Sequence, residues 1–213
     1  MLKKSLIAIL ALGVAISCDR PQASSSLHEV VSKPTTTSTV SNGLFHADSL
    51  LSFNFELLAQ TFGKQNIVEK VVGSPMEESS YHVVILFPGS PKEIEVVLQD
   101  STAHADVKAV IIGQNSTWTT RAGVKPGMTL KELQVLNGRP FLFYGGGWDQ
   151  GGYVTNWKDG ALHGEINSCR LDRNYVMPYD MSKGDYDAHE FSSDSRDAQN
   201  GNPVIEEITL SRF

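Results

Sequence analysis

The stretch TLKELQVLNGRP, residues 129–140, decides the fold class of this 213-residue chain, because it has every part of a complete short helix. Thr129 and Glu132 have the T-x-x-E spacing of a capping box, in which both side chains satisfy backbone groups at a helix start. Leucines then recur at one-turn spacing (Leu130, Leu133, Leu136). Gly138 provides a left-handed stop, and the proline two residues later prevents continuation. The pattern predicts a helix over residues 129–137.

A second helix of the same kind is predicted over residues 54–62. Its apolar side chains fall at i, i+3, i+4 and i+7, the spacing of one helix face (Phe55, Leu58, Ala59, Phe62). Gly63 ends this helix as Gly138 ends the other, and superimposing the two glycines also aligns Lys64 with Arg139. The sequence therefore predicts a repeated plan.

Strand-rich sequence follows each predicted helix. After the first helix, residues 82–87 form a β-branched run that ends at a Pro-Gly turn, and residues 92–98 alternate, with Ile94, Val96 and Leu98 on one face. After the second, residues 153–157 and 161–166 are two runs on either side of a Lys-Asp-Gly turn. Further strands are predicted at residues 107–112, 117–120 and 204–212.

These elements together predict an α+β domain. It would consist of two helix-then-antiparallel-hairpin units, with the helices packed on an antiparallel sheet. The folded domain is expected over residues 43–213, which is long enough for a single hydrophobic core. Its two halves would be residues 43–120 and 121–213.

Residues 124–140, VKPGMTLKELQVLNGRP, resemble a pattern in small envelope lipoproteins, including the BamE/SmpA component of the outer-membrane β-barrel assembly machinery. They are also similar to the tandem helix-plus-sheet units of β-lactamase inhibitor proteins. In both groups a Gly-Met/Thr turn caps a short helix, which ends in Gly-x-Pro and leads into an antiparallel sheet. The resemblance covers 17 residues and implies the same α+β architecture. No functional residue of those families has a matching position in this chain.

The start of the chain has the organisation of a bacterial lipoprotein signal peptide. A basic segment, MLKK, precedes an uncharged run over residues 5–17, which is too short to span a bilayer. Small residues at the third and first positions before Cys18 resemble a lipobox, the site where lipoprotein signal peptidase cleaves. We therefore expect a signal peptide at residues 1–17 and lipid attachment at Cys18. The alternative is an ordinary secretory signal followed by an incidental cysteine.

The expected location is a bacterial membrane, with the protein facing the periplasm or the cell surface. Asp19 resembles the signal that retains enterobacterial lipoproteins in the inner membrane. Other bacterial groups follow other rules, so the choice between inner and outer membrane stays open. Removal of residues 1–17 takes away two lysines and changes the net charge from −6 to −8. An acidic protein disfavours nucleic acid as a partner, because that binding relies on Lys and Arg.

Residues 18–42 are predicted to form a flexible, lipidated tether. Ten of the 24 residues that follow Cys18 in this segment are Ser or Thr, and none is aromatic. Such a segment buries too little apolar surface to offset the entropy of ordering it. The tether would hold the folded domain roughly 25–30 Å from the membrane.

The sequence YGGGWDQGG, residues 144–152, contains five glycines around Trp148 and Asp149. It lies between predicted strands and has no lysine, unlike a phosphate-binding loop. One interpretation is a wide hairpin or bulge, in which glycines take positive φ and the tryptophan packs down. The other is a binding loop, in which Trp148 stacks on a sugar ring or anchors a protein interface. Trp157 and Trp118 would either extend that surface or belong to the core.

The acidic stretch over residues 180–197 offers carboxylates at alternating positions, as calcium sites do. Asp185, Asp187 and Glu190 are the candidate ligands. The stretch lacks the glycine and glutamate positions of an EF-hand, which favours a solvated acidic loop. The six histidines include no pair at the H-E-x-x-H spacing. We therefore predict no metal centre and no cofactor.

Motifs for nucleophilic catalysis are missing from the sequence. Once Cys18 carries lipid, Cys169 has no disulfide partner, and no arrangement of His and Asn around it activates the thiol. There is no G-x-S-x-G elbow and no S-x-x-K motif. The sequence favours a non-enzymatic binding module with a protein or glycan partner in the envelope. The alternative is a hydrolase of an envelope or nutrient polymer, which would use paired carboxylates.

Overall fold

The computed structural model describes residues 46–73, 80–102, 104–175 and 189–212. The chain divides after Ser41, and all described residues belong to the second unit, Asn42–Phe213. The predicted signal peptide, Cys18 and the tether lie outside the described residues. No helix in the described ranges is long and apolar enough to cross a membrane.

The helix α2 (Leu130–Asn137) begins and ends as its sequence predicts. The Thr129 side chain accepts a hydrogen bond from the Glu132 N–H, and the Glu132 carboxylate accepts one from the Thr129 N–H at 2.8 Å. Gly138 follows with a left-handed φ of 73°, and its N–H donates to carbonyl groups of the last turn. The capping-box prediction is confirmed.

The helix α1 (Phe55–Phe62) is also confirmed. Asn54 caps it, because its side chain accepts a hydrogen bond from the Leu57 N–H at 2.8 Å. The buried Leu58 points into the core. A third helix, α3 (Arg196–Gly201), was not predicted; it is capped by Ser195 and contributes the buried Ala198 to the core. Two short 3-10 helices flank α1 at Ala47–Ser52 and Lys64–Asn66.

Nine strands are present in the described residues: β1 (Ile67–Gly73), β2 (Ser80–Leu86), β3 (Ile94–Leu98), β4 (Val107–Ile112), β5 (Leu142–Tyr144), β6 (Val154–Asn156), β7 (Ser168–Leu171), β8 (Glu190–Ser192) and β9 (Ile205–Ser211). Six of them form one antiparallel sheet in the order β1-β2-β3-β4-β9-β7. The other three form a small antiparallel sheet in the order β6-β5-β8. The two sheets meet at an antiparallel bridge between Tyr153 and Arg170.

One face of the six-stranded sheet carries the hydrophobic core. Cross-strand pairing places Val84, Val96, Val110 and Leu210 in a continuous row on this face, and each is no more than 1% exposed. The core also takes in the helix leucines and the aromatic side chains of the smaller sheet. The opposite face, which we call the outer face, carries mainly partly exposed side chains on β3, β4 and β9.

The predicted α+β class is confirmed, with few helices and antiparallel sheets. Each main helix is followed by an antiparallel hairpin, β1–β2 after α1 and β5–β6 after α2. The two predicted halves share one sheet, because β7 and β9 from the second half pair beside β4 from the first.

The predicted return strand over residues 161–166 is wrong, since this segment forms consecutive turns. The buried Leu162 and Ile166 lie four residues apart, and the Ile166 N–H donates to the Leu162 carbonyl at 3.3 Å. The side chain of Asn137 accepts a hydrogen bond from the Leu162 N–H at 3.2 Å. A buried amide on α2 thus holds the segment in turns, although its apolar residues also suit a strand.

The predicted strand over residues 117–120 is also wrong. Its backbone forms separate hydrogen bonds and not a strand ladder. The Thr117 N–H donates to the Pro91 carbonyl, and the Thr119 carbonyl accepts from the Ala47 N–H. Trp118 donates its indole N–H to the Lys92 carbonyl at 2.9 Å. This extended segment therefore joins the β2–β3 turn to the start of the domain.

Candidate functional site

The glycine-rich loop lies between β5 and β6, as predicted, and is held by backbone hydrogen bonds at both ends. Gly146 and Gly147 donate to the carbonyl groups of Tyr175 and Arg173 at 3.1 and 2.9 Å. Gly152 donates to the Tyr144 carbonyl at 2.9 Å, which closes the loop. These contacts fix the loop against the segment that follows β7.

Three of its glycines, Gly146, Gly151 and Gly152, are required by close backbone approach, and a Cβ atom on Gly151 would lie 2.8 Å from the Gly146 Cα. A Cβ atom on Gly146 would collide with the carbonyl oxygens of Arg173 and Tyr175. Gly152 has a φ of 82°, and a Cβ there would collide with the Leu171 carbonyl oxygen. The glycine content therefore has a structural cause, which agrees with the hairpin interpretation of the sequence.

Trp148 nevertheless does not pack into the core. Its side chain is 40% exposed and lies edge-on to the Tyr144 ring, with ring centroids 5.2 Å apart. The indole N–H donates to the Gly145 carbonyl at 2.9 Å, so its polar group is satisfied within the loop. Asp149 is exposed beside it. The loop thus presents an aromatic ring in a fixed orientation with a carboxylate next to it.

Trp157 does not extend this surface, so the binding-loop prediction is wrong for this residue. Its side chain is 8% exposed and packs against the Phe141 ring, with centroids 5.4 Å apart. Trp118 is half-buried against Phe62. Both belong to the packing of the domain, the alternative that the sequence had left open.

Three glutamates line one cleft in the part of the chain that the structure describes. A cleft of about 500 Å³ lies at the outer face, between the β2–β3 turn and residues 113–116, and it is lined by Glu93, Glu95 and Glu207. Glu93 accepts a hydrogen bond from the Gly89 N–H, and Glu207 forms an ion pair with Arg170 at 3.0 Å. Glu95 has no hydrogen bond or ion pair within the described ranges. Trp148 does not line this cleft.

Of the candidate calcium ligands, Asp185 and Asp187 lie outside the described residues, and Glu190 is exposed on β8. Within the part of the chain that the structure describes, no three His, Cys, Asp or Glu side chains are placed to hold a metal ion. His104 and Asp106 face different partners: His104 pairs with Glu56 and Asp106 with Arg212.

Cys169 lies on β7 and is fully buried in the core. Burial removes the thiolate from water and raises the pKa of the thiol to about 12. A thiol in this state is a poor nucleophile, because the thiolate is the reactive form. The residue acts as a small apolar side chain of the core.

A charged cluster next to the loop was not predicted. Arg170 forms ion pairs with Glu207 at 3.0 Å and Glu206 at 3.7 Å, and Arg173 lies 3.6 Å from Glu206. Tyr153 packs against the Arg170 guanidinium, 5.4 Å from ring centroid to carbon. In the sequence, the adjacent glutamates of β9 are the feature that could have indicated this cluster. Their partner Arg170 lies on β7 and Arg173 follows that strand, so the cluster depends on the long-range pairing of β7 with β9.

Comparison of the chain with protein-family profiles, curated proteins and solved structures found no match. The function is therefore inferred from the side chains of this molecule.

Proposed function

We propose that this protein is a bacterial envelope lipoprotein, anchored by lipid on Cys18, whose folded domain is a non-enzymatic binding module. The proposal for the anchor rests on the basic start, the uncharged run and the small residues before Cys18. It places the domain at a membrane surface facing the periplasm or the outside of the cell. The proposal for binding rests on Trp148.

Trp148 has the properties of a binding anchor. A few large aromatic side chains dominate the binding energy of many protein interfaces, and a side chain already held in its bound orientation costs less to immobilise. The Trp148 indole is fixed by its hydrogen bond to Gly145 and by the Tyr144 ring, and the loop is fixed by Arg173 and Tyr175. Binding of a partner would therefore cost little entropy, because the loop is already ordered. That exposed ring is the observation on which the proposal rests.

The partner is proposed to be a protein or a glycan of the envelope, and one experiment separates these classes. A photo-crosslinking residue is placed at Asp149 in the full-length protein in its native membrane. The matched control carries it at Val135, which is 78% exposed on α2. A protein adduct from position 149 alone supports an adaptor, and a glycan adduct supports a polymer binder. Equal adduct yields at the two positions would contradict the proposal.

The anchor has its own test. Replacement Cys18→Ala removes the lipid attachment point, so we expect the protein to stop incorporating a labelled fatty acid. The matched control is Cys169→Ala, which removes the buried cysteine and leaves Cys18 in place. Fatty-acid incorporation that survives Cys18→Ala would overturn the lipid anchor on Cys18 without affecting the proposal for Trp148.

A second candidate function, hydrolysis of an envelope or nutrient polymer, is favoured by the cleft with Glu93, Glu95 and Glu207. Two of these carboxylates already have partners in the protein, which leaves Glu95 as the residue to test. Release of soluble fragments from purified envelope glycan, abolished by Glu95→Gln and kept in Glu165→Gln, would support the hydrolase. Glu165 is exposed and lies outside the cleft lining.

A further inference from the structure

Strand β1 forms one edge of the six-stranded sheet. All seven of its residues pair with β2, from Ile67 opposite Leu86 to Gly73 opposite Ser80. On its other side no strand lies along it within the described ranges. In an antiparallel ladder alternate backbone N–H and C=O groups point away from the neighbouring strand. The edge therefore offers a regular row of backbone groups to an added strand.

Exposed apolar side chains are concentrated at this edge, beside the two charged residues Glu69 and Lys70. Seven large apolar side chains are exposed in the described ranges, and four of them lie on β1 and β2. Val68, Val71 and Val72 are 41%, 71% and 49% exposed, and Tyr81 is 38% exposed. Most protein edges are short, charged or covered, because an exposed apolar edge pairs with other chains. The concentration of valine here thus indicates a binding edge.

The charges on β1 indicate what would pair with it. Glu69 is already engaged, because its carboxylate lies 3.0 Å from the Nε2 atom of the nearly buried His82. Lys70 is exposed and has no hydrogen bond or ion pair with any described residue. It shares the outer face with Val68 and Val72, since alternate residues of a strand point to the same side. This face of the edge therefore presents the order Val-Lys-Val.

A second copy of the chain fits this edge poorly. A two-fold antiparallel pairing that uses all seven residues would be centred on Lys70, since the strand runs from Ile67 to Gly73. Two Lys70 side chains would then lie directly opposite each other, and like charges in that position are destabilising. An acidic side chain opposite Lys70 would be stabilising instead.

We propose that β1 binds an extended segment of another protein, which adds a strand to the sheet at this edge. The segment carries an acidic residue opposite Lys70 and β-branched apolar residues opposite Val68 and Val72. Backbone hydrogen bonds supply the pairing, and the side chains on the outer face supply the selectivity. This edge does not include Trp148, so the inference stands independently of the proposed function.

Two synthetic peptides with blocked ends serve as probes, Ser-Val-Thr-Glu-Thr-Val-Ser and the same peptide with Lys in place of Glu. Both are palindromic, so each presents the same pattern in either strand direction. The protein is acidic, with a net charge of −6, so non-specific attraction would favour the lysine peptide. A preference for the glutamate peptide therefore reports the local charge of Lys70.

Hydrogen–deuterium exchange of the full-length protein in detergent measures this binding. We expect the glutamate peptide to slow exchange in residues 67–73 and to bind about two- to thirtyfold more tightly than the lysine peptide. Lys70→Glu should reverse that preference. Lys131→Glu, at an exposed position on α2, should leave it unchanged.

Three results would overturn the inference. The first is equal or tighter binding of the lysine peptide to the unmodified protein. The second is protection that appears away from β1. The third is slower hydrogen exchange in β1 when no peptide is present, if this protection increases with protein concentration. That result would assign the edge to a second copy of the chain. Thermal melting of Lys70→Glu provides the folding control, since an exposed lysine contributes little to the fold.

Discussion

Asn137 illustrates how one buried polar side chain organises its surroundings. It is 1% exposed at the end of α2, and its amide donates to the carbonyl groups of Arg139 and Trp157, both at 3.0 Å. Its carbonyl oxygen accepts from the Leu162 N–H. A buried amide with all these partners ties α2 to the turns after β6. An asparagine before a glycine resembles an ordinary helix end in the sequence, so this role could not be predicted.

Cys169 gives a prediction about a single thiol. In the full-length chain with Cys18→Ser, Cys169 should resist alkylation at pH 8 and react completely in guanidinium chloride. The reason is burial, which raises the pKa of the thiol to about 12 and blocks access to the sulfur. The measurement is mass spectrometry after timed exposure to iodoacetamide. Rapid labelling of the folded protein would place the thiol at the surface and contradict the packing of β7.

Gly152 gives a second prediction, and Gly164 is its matched control. Both have positive φ, 82° and 80°, but only Gly152 has a backbone oxygen in the position of a Cβ atom. We expect Gly164→Ala to lower the free energy of unfolding by about 1–2 kcal/mol through backbone strain. Gly152→Ala should lower it by a further roughly 1–3 kcal/mol through the collision with Leu171. Urea denaturation measures both, and equal losses would refute the close approach.

Among the helices and strands, those set by local rules were predictable. Both α1 and α2 depend on caps and apolar spacing that lie within a dozen residues, and the structure confirms them. Strands β3, β4 and β9 could be predicted because buried residues recur along them at alternate positions, and β2 because it ends in a continuous apolar run that is buried. The strand β1 was missed since nearly all its residues are exposed, which hides the alternation of a half-buried strand.

The cap of α2 carries a prediction about stability and pH. Thr129→Ala should lower the free energy of unfolding by about 1 kcal/mol, the usual loss for an N-cap. Hydrogen bonds from the Thr129 backbone and hydroxyl lower the pKa of Glu132. A lowered pKa in the folded state stabilises the protein above the unfolded value near 4.5, and this contribution is lost as pH falls through the folded pKa.

Denaturation curves between pH 3 and 7 should therefore show a smaller loss of stability towards acid in Thr129→Ala than in the unmodified protein. Thr117→Ala is the control, because Thr117 lies in the extended segment and its hydroxyl donates to the Pro91 carbonyl rather than to a carboxylate. If both variants lost the same stability towards acid, the capping box would not be the source of this pH dependence.

Across the complete fold, the sequence could predict the class but not the strand order. Pairing of β4 with β9 and of β9 with β7 joins residues about 100 and 40 positions apart, and no local rule specifies such contacts. The same pairing creates the cluster of Arg170 with Glu206 and Glu207. For the candidate site, sequence reasoning located Trp148 and its loop. It could not separate the exposed Trp148 from the buried Trp157, because burial depends on the packing of distant strands.

Substitutions in the charged cluster test the long-range pairing of β7 with β9. Arg170 is 12% exposed, and its replacement by alanine would remove the ion-pair partner of Glu207 and the more buried of the two cations beside Glu206, which is also 12% exposed. We expect Arg170→Ala to lower the free energy of unfolding by about 3–5 kcal/mol. Arg173→Ala removes a partner of the same carboxylate that is 55% exposed, and should lower it by less than about 1 kcal/mol. Similar losses in urea denaturation would contradict the burial of this cluster.

The proposed function depends on the binding of an envelope partner through Trp148. Its most direct test is the yield of adducts from the photo-crosslinking residue at Asp149, compared between Trp148→Ala and Leu57→Ala in native membranes. Leu57 is the matched control, because it is 40% exposed on α1, the same fraction as Trp148. Loss of an aromatic anchor should weaken binding about thirtyfold or more, so we expect the adduct to disappear in Trp148→Ala and to persist in Leu57→Ala. An adduct that persists equally in both variants would contradict it.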